Sequence, residues 1–259
     1  MAITIYYSFN YIHFLMSASN ILKNISVDCV VFGYERNALR VLLRQEFINY
    51  RGRIYEEWKL PGNHVLRDET TEETAVRILR EQSGITEDVY LKQLSVFSNV
   101  NRLKLRDRDY KWKKEQGVGD NRVVTVAYYS LVNISDIDAS HLYNVARWHK
   151  VSEVKELIYD HKDILDAALM KLREDLLNQP ILFELLPELF TLTELQTLYE
   201  IILDTSFDKR NFRRKISNMK YLIPSGKRQE NVSHKPAMLY LFDRNIYEKT
   251  KLDRFDFSV

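Results

Sequence analysis

The strongest constraint on the fold lies near the C-terminus, where several local signals occur in one order over residues 190–242. FTLTELQTLYEIIL (190–203) opens with the capping-box pair Thr191 and Glu194 and carries Leu195, Leu198, Tyr199 and Ile202 at helical spacing. A short turn, DTSF, follows. DKRNFRRKISNM (208–219) begins with Asp208, a good N-cap whose charge suits the positive end of a helix dipole. On a wheel of about 100° per residue, Phe212, Ile216 and Met219 share one side. Arg210, Asn211, Arg214, Ser217 and Asn218 share the other, with Arg213 and Lys215 at the flanks. A strand-like YLIP, a basic loop (225–236) and AMLYLF complete the run. Helix, tight turn, basic helix and a two-stranded wing predict a winged helix-turn-helix, whose second helix enters the DNA major groove.

Charge supports that reading. Residues 208–235 hold nine Lys or Arg against Asp208 and Glu230, a net of +7, although the whole 259-residue chain carries only +2. The remainder is therefore acidic, at −5. A basic module on an acidic body calls for a polyanionic partner. Arg and Asn pair with guanine and adenine edges, so Lys209, Arg210, Asn211, Arg213, Arg214, Lys215 and Ser217 are the candidate groove residues. Lys227, Arg228 and Lys235 are candidate phosphate contacts of the wing. A helical hairpin with a solvated basic face is the bland alternative; agreement of caps, stripe, basic face and wing weighs against it.

The preceding residues mix strands and helices, an α+β pattern. ISVDCVVFGY (25–34) and LRVLLRQ (39–45) predict a hairpin. Residues 67–84 predict a helix, capped at Thr70 or Thr71 and stopped by Gly84. Residues 90–100 and 121–134 predict strands, and between them lies a charged, aperiodic stretch, 102–120. Residues 146–157 predict a short strand, a Ser152 cap and a helical turn. An amphipathic helix over 161–179, with Ile164, Ala167, Ala168, Leu172 and Leu176 on one face, stops before Pro180. The domain boundary is placed there, giving an N-terminal extension (1–23), a first domain (24–180) and a DNA-binding domain (181–259). Cys29 is the only cysteine, which excludes a disulfide framework and a cysteine zinc site. Residues 1–22 carry no Asp, Glu, Lys or Arg and are rich in Tyr and Phe, yet polar residues interrupt them too often for a signal peptide or a membrane span. They predict an added strand or a dimer arm; alternatively translation starts at Met16. A cytoplasmic protein is expected.

The stretch PGNHVLRDETTEETAVRILREQSGI (61–85) resembles the Nudix box: Gly, five residues, Glu, seven residues, Arg-Glu-hydrophobic-x-Glu-Glu-x-Gly-hydrophobic. Glu69, Arg77, Glu81 and Gly84-Ile85 fall in register, whereas Asn63 replaces the opening Gly, Ile78 the Glu after Arg, and Gln82 the last Glu. Nudix hydrolases split pyrophosphates with metal-bound water, and the metal needs hard oxygen ligands. Ile78 cannot ligate, and Gln82 is a neutral, weaker donor. One carboxylate is too few to hold the metal and activate water, so no catalytic residue, metal or cofactor is expected. Glu69 and Arg77, which brace loop and helix in that family, are kept.

A degenerate Nudix domain joined to a basic winged helix resembles the Nudix-related transcriptional regulators, over residues 24–247. LLPELFTLTELQTLYE, DKRNFRRKI, ARWHKV and IYDHKDIL look like their characteristic regions. The resemblance implies a Nudix α/β/α sandwich with a mixed sheet followed by a winged helix. It also implies a homodimer on a palindromic double-stranded operator, released or strengthened by a small effector that is bound and not hydrolysed. In that family the effector is ADP-ribose or a sugar such as arabinose. A pyrophosphate needs Arg or Lys, for which Arg44, Arg67, Arg102 and Arg122 are available; a pentose needs Asp, Asn and a stacking ring, for which Asp120, Asn63, Trp58 and Tyr110 are available. Glu69, Arg77 and Glu81 of the box complete the candidate cleft. Loss of the box carboxylates tilts the expectation toward a sugar. The competing enzyme reading is a Nudix hydrolase acting on ADP-ribose or a related nucleoside diphosphate derivative.

Overall fold

The computed structural model describes residues 20–50, 53–85, 89–103, 122–137, 146–233 and 235–250. Strands β1 (Ile21–Glu35) and β2 (Ala38–Tyr50) form the predicted hairpin. Arg36 and Asn37 turn it, both with φ near +50° (50° and 55°), the twist that matches paired strands. Val41 of β2 pairs Phe32 on one edge and His149 of β7 (Ala146–Lys150) on the other. Further along, β1 and β2 part. Into the wedge go β3 (Arg53–Lys59), paired with β2, and β4 (Gly62–Leu66), paired with β1. The sequence patterns did not anticipate these two strands, because RIYEEWK is charged and only half-buried. The other edge of β1 pairs in parallel with β6 (Val124–Asn133), which pairs antiparallel with β5 (Tyr90–Phe97). The sheet is therefore mixed.

Alternation along β1 sends Val27, Cys29 and Val31 to one face and Val30 and Phe32 to the other. Helix α1 (Thr71–Ser83) covers the first face with Ala75, Ile78 and Leu79. Thr70 supplies its capping box with Glu73, and Gly84 ends it at φ 70°. Helix α2 (His161–Asn178) covers the second face with Ile164, Leu165, Ala168, Leu172 and Leu176. This is the α/β/α sandwich. The turn after β7 is a 3-10 turn, Val151–Glu153, with Lys150 at its start and no side-chain cap; Ser152 lies inside it and caps nothing.

After Pro180 a buried 3-10 turn, Ile181–Leu185, packs onto the second face. The winged helix follows: β8 (Phe190–Thr191), α3 (Leu192–Leu203), α4 (Lys209–Ile216), β9 (Leu222–Arg228), β10 (Met238–Phe242) and α5 (Arg244–Thr250). The wing sheet has three strands, ordered β8-β10-β9, where the sequence predicted two. A two-residue strand carries no period of its own; pairing with Leu239 and Tyr240 alone defines it. Among the described residues no helix is long and apolar enough to cross a membrane.

Candidate effector cleft and DNA-binding face

Leu60, Pro61 and Gly62 form a corner between β3 and β4, and three elements hold it. The Cys29 N–H of β1 donates to the Pro61 carbonyl at 2.8 Å. The Leu60 N–H donates to Nδ1 of His161, the first residue of α2, at 3.0 Å. Gln82 of α1 clasps Gly62 with both amide atoms: Oε1 accepts from the Gly62 N–H at 3.1 Å, and Nε2 donates to the Gly62 carbonyl at 3.2 Å. Beneath it, a Cβ at position 62 would lie 2.2 Å from Oδ1 of Asp28, so only glycine fits.

The box clamp is formed. Arg77 donates from Nε to Glu69 at 2.8 Å and from Nη2 to both Glu69 Oε2 at 2.9 Å and the His64 carbonyl at 3.0 Å. Thr74 adds a hydroxyl bond to Glu69 at 2.9 Å. The Arg77 bonds hold the Glu69 carboxyl below its ordinary range despite partial burial. Glu81 lies 3.5 Å from Arg77. Ile78 is 0% exposed and belongs to the core under the first face.

These contacts test whether a divalent ion fits the box. Position 78 offers no donor and points into the core, both polar atoms of Gln82 serve Gly62, and Glu81 leans on Arg77. The residues present do not fit the family's metal.

Behind the corner lies a buried charged group. Arg102, 3% exposed, donates from Nε and Nη2 to Asp160 at 2.8 Å each and from Nη2 to Asp28 at 3.2 Å. His161 Nε2 is 3.6 Å from Asp28. Burial lowers the His161 pKa, against the pull of Asp28. The neutral ring accepts the Leu60 N–H and keeps its own proton on Nε2.

The candidate effector residues separate accordingly. Glu69, Arg77, Glu81 and Asn63 gather at the box, with Asn63 accepting from its neighbour's N–H. Arg44 pairs across the sheet with Lys59, beside the corner. Arg102 is withdrawn as a pyrophosphate ligand because two carboxylates already bind its guanidinium. Trp58 turns to the α2 face, edge-on to His149 at 4.4 Å between ring centroids, where it packs against the core. Exposed Arg122 donates to the Ser98 carbonyl at 3.1 Å. Asp120 and Tyr110 lie outside the described residues, as does the extension through residue 19. The sequence reading missed Asp28, Asp160 and His161; their signal was polar residues at positions that strand or helix periodicity assigns to the core.

On the DNA-binding side, Asp208 caps α4 by accepting from the Asn211 N–H at 2.8 Å. Phe212 and Ile216 are buried, and Lys209, Arg210, Asn211, Arg213 and Arg214 are exposed. Lys215 is half-buried. The helix ends at Ile216, short of the predicted 219. Ser217 is therefore its C-cap, with the hydroxyl donating to the Arg214 carbonyl at 2.8 Å, and Met219 packs from beyond the end. Gln196 and Glu200 brace the turn through the Phe207 carbonyl and N–H at 3.0 and 2.9 Å. Lys227, Arg228 and Lys235 are exposed on the wing, where Arg228 also donates to the Pro236 carbonyl at 3.1 Å.

Fold and sites together define a class: a Nudix domain joined to a DNA-binding winged helix. Comparison with known proteins agrees. The NUDIX domain family matches residues 22–169, and the NrtR DNA-binding winged helix domain matches 182–242. The ADPR responsive transcriptional repressor NtrR of Acinetobacter baylyi is 31% identical over 233 residues, covering 86% of this chain and 83% of that protein. Shewanella oneidensis NrtR complexed with a 27mer DNA superposes with a TM-score of 0.70 at 26% identity, covering 89% of this chain and 97% of that one. Shewanella oneidensis NrtR in another crystal structure gives 0.65 at 27% identity, with 84% and 93% covered. The chain belongs to the NrtR family of Nudix-domain transcriptional regulators.

Proposed function

We propose that this protein is a repressor that binds a palindromic operator as a homodimer in the cytoplasm, and that its Nudix domain binds ADP-ribose without hydrolysing it. The observation that carries the non-catalytic reading is the use of the box: Ile78 and Gln82 serve the fold where metal-ligating carboxylates would stand. The Acinetobacter relative is ADPR responsive by name, which favours ADP-ribose over the pentose that the sequence alone leaned toward. Arg44, Asn63, Glu69, Arg77, Glu81 and Arg122 remain the cleft candidates, and the exposed residues of α4 and the wing the DNA contacts. Release follows only where ADP-ribose binds the DNA-free arrangement more tightly than the DNA-bound one.

The test is a gel-shift titration of the full chain on its own upstream DNA, with ADP-ribose, arabinose or xylose. Specific binding altered by ADP-ribose and by neither sugar is the expected result. Mg²⁺-dependent breakdown of ADP-ribose without specific DNA binding would identify a working hydrolase and overturn the proposal.

A further inference from the structure

We infer that helix α2 is the mechanical link between the effector cleft and the recognition helix, with His161 as its hook at the cleft and Arg173 as its hook on the winged helix. This rests on the effector reading above.

At its first turn α2 is built into the cleft. Asp160 precedes the helix, yet its side chain makes no capping bond, because its carboxylate accepts from Nε and Nη2 of Arg102. His161 holds Leu60, and two residues on, Gln82 of the box helix holds Gly62. Both helices thus grip one corner. Anything that displaces the box helix against Gly62 displaces the seat of His161.

Twelve residues later, about 18 Å along the helix at a rise near 1.5 Å per residue, α2 is built into the DNA-binding unit. Arg173 Nε donates to the Ile202 carbonyl at 2.7 Å, in the last turn of α3. Asp175 anchors the same stretch to the sheet through Lys92 at 2.8 Å and the Tyr129 hydroxyl, and pairs with Lys171 of its own helix at 3.2 Å. From α3 the path is short, because Tyr199 packs edge-on against Phe212 of α4, ring centroids 5.8 Å apart. An α-helix transmits displacement along its axis as a rod, and a close-packed core shifts between discrete arrangements more readily than it deforms. The polar hooks stand at the first residue and in the C-terminal half of the helix, and the apolar residues between them belong to one continuous core.

The test uses the full chain and its operator, with Arg173→Met, which keeps the apolar stem and removes the donor. Lys162→Met, at a partly exposed position on the same helix where the ammonium pairs with Asp166 of that helix, is the control. Three quantities are measured: operator Kd alone, ADP-ribose Kd alone, and the ratio of operator Kd with and without saturating ADP-ribose. Allosteric ratios typically span about 5- to 150-fold. The expected result for Arg173→Met is both separate affinities within about threefold of wild type and a ratio falling toward one. Lys162→Met keeps the wild-type ratio. If Arg173→Met folds poorly by circular dichroism, Arg173→Lys replaces it, since its ammonium keeps the charge without the directed Nε donor. An unchanged ratio with both affinities intact overturns the inference. A wild-type ratio of one despite measurable ADP-ribose binding overturns the effector reading itself, so the two failures are distinct.

Discussion

A carboxamide carries a donor and an acceptor, and at position 82 the backbone of Gly62 uses both. A carboxylate there would lose the bond to the Gly62 carbonyl and set a charge against it, so Gln82→Glu should destabilise the fold by about 1–3 kcal/mol, measured by urea unfolding. For the same reason ADP-ribose binding should not depend on a divalent ion. Calorimetric titrations in EDTA and in Mg²⁺ should agree within about twofold; a gain of about tenfold or more (about 1.4 kcal/mol) with Mg²⁺ would show that the cleft holds the ion after all. His161 makes a second prediction at this scale. Its folded pKa is lowered from 6.5, first by burial, so the unfolded chain takes up a proton before the folded one does. Stability is then lost as pH falls below about 6.5. His161→Gln, which can still accept the Leu60 N–H, should flatten the fall in urea midpoint between about pH 7.5 and 5.5. An equally steep fall would place the titration elsewhere.

Helix α4, the proposed recognition helix, has eight residues, too few to stand on helix propensity alone. It holds its shape because Asp208 caps it, Phe212 and Ile216 bury its inner face, and Gln196 and Glu200 fix the preceding turn. None of these uses an outward arginine. Arg210→Ala or Arg214→Ala should therefore cost about 1–3 kcal/mol of operator affinity while leaving the denaturation midpoint unchanged. Phe212→Ala should do the reverse first, removing about 3–5 kcal/mol of stability. Fluorescence anisotropy on operator DNA and urea melts on the same samples separate the two. Full affinity in both arginine variants would remove α4 from the groove.

Across the whole molecule, one apolar cluster runs from Val30, Phe32 and Val41 of the sheet through Leu172 and Leu176 of α2 and Leu182 of the 3-10 turn to Leu195, Leu198 and Phe212 of the winged helix. One core holds residues on both sides of Pro180. Calorimetry of the full chain should then show one cooperative transition. Leu182→Ala, at the junction, should cost about 2–5 kcal/mol and shift that single transition. Two resolved transitions would mean that sheet and winged helix unfold independently.

What the residues determine locally was available without coordinates. Caps at Thr191 and Asp208, the Gly84 stop, the strand alternation of 25–34 and the apolar faces of the helices all depend on neighbours within about four positions. The box register over residues 61–85, with its missing carboxylates, is likewise read from the sequence alone. Tertiary structure alone decided what lies between distant segments. The strands of 53–66 exist because β1 and β2 splay and leave unpaired edges for them. The strand at Phe190 exists because β10 pairs with it. Arg102 became a buried structural cation, and no cleft ligand, because Asp28 and Asp160, 74 and 58 residues away, meet at its guanidinium. A charged side chain reads as solvated until its partners are placed beside it, and folding alone brings them there.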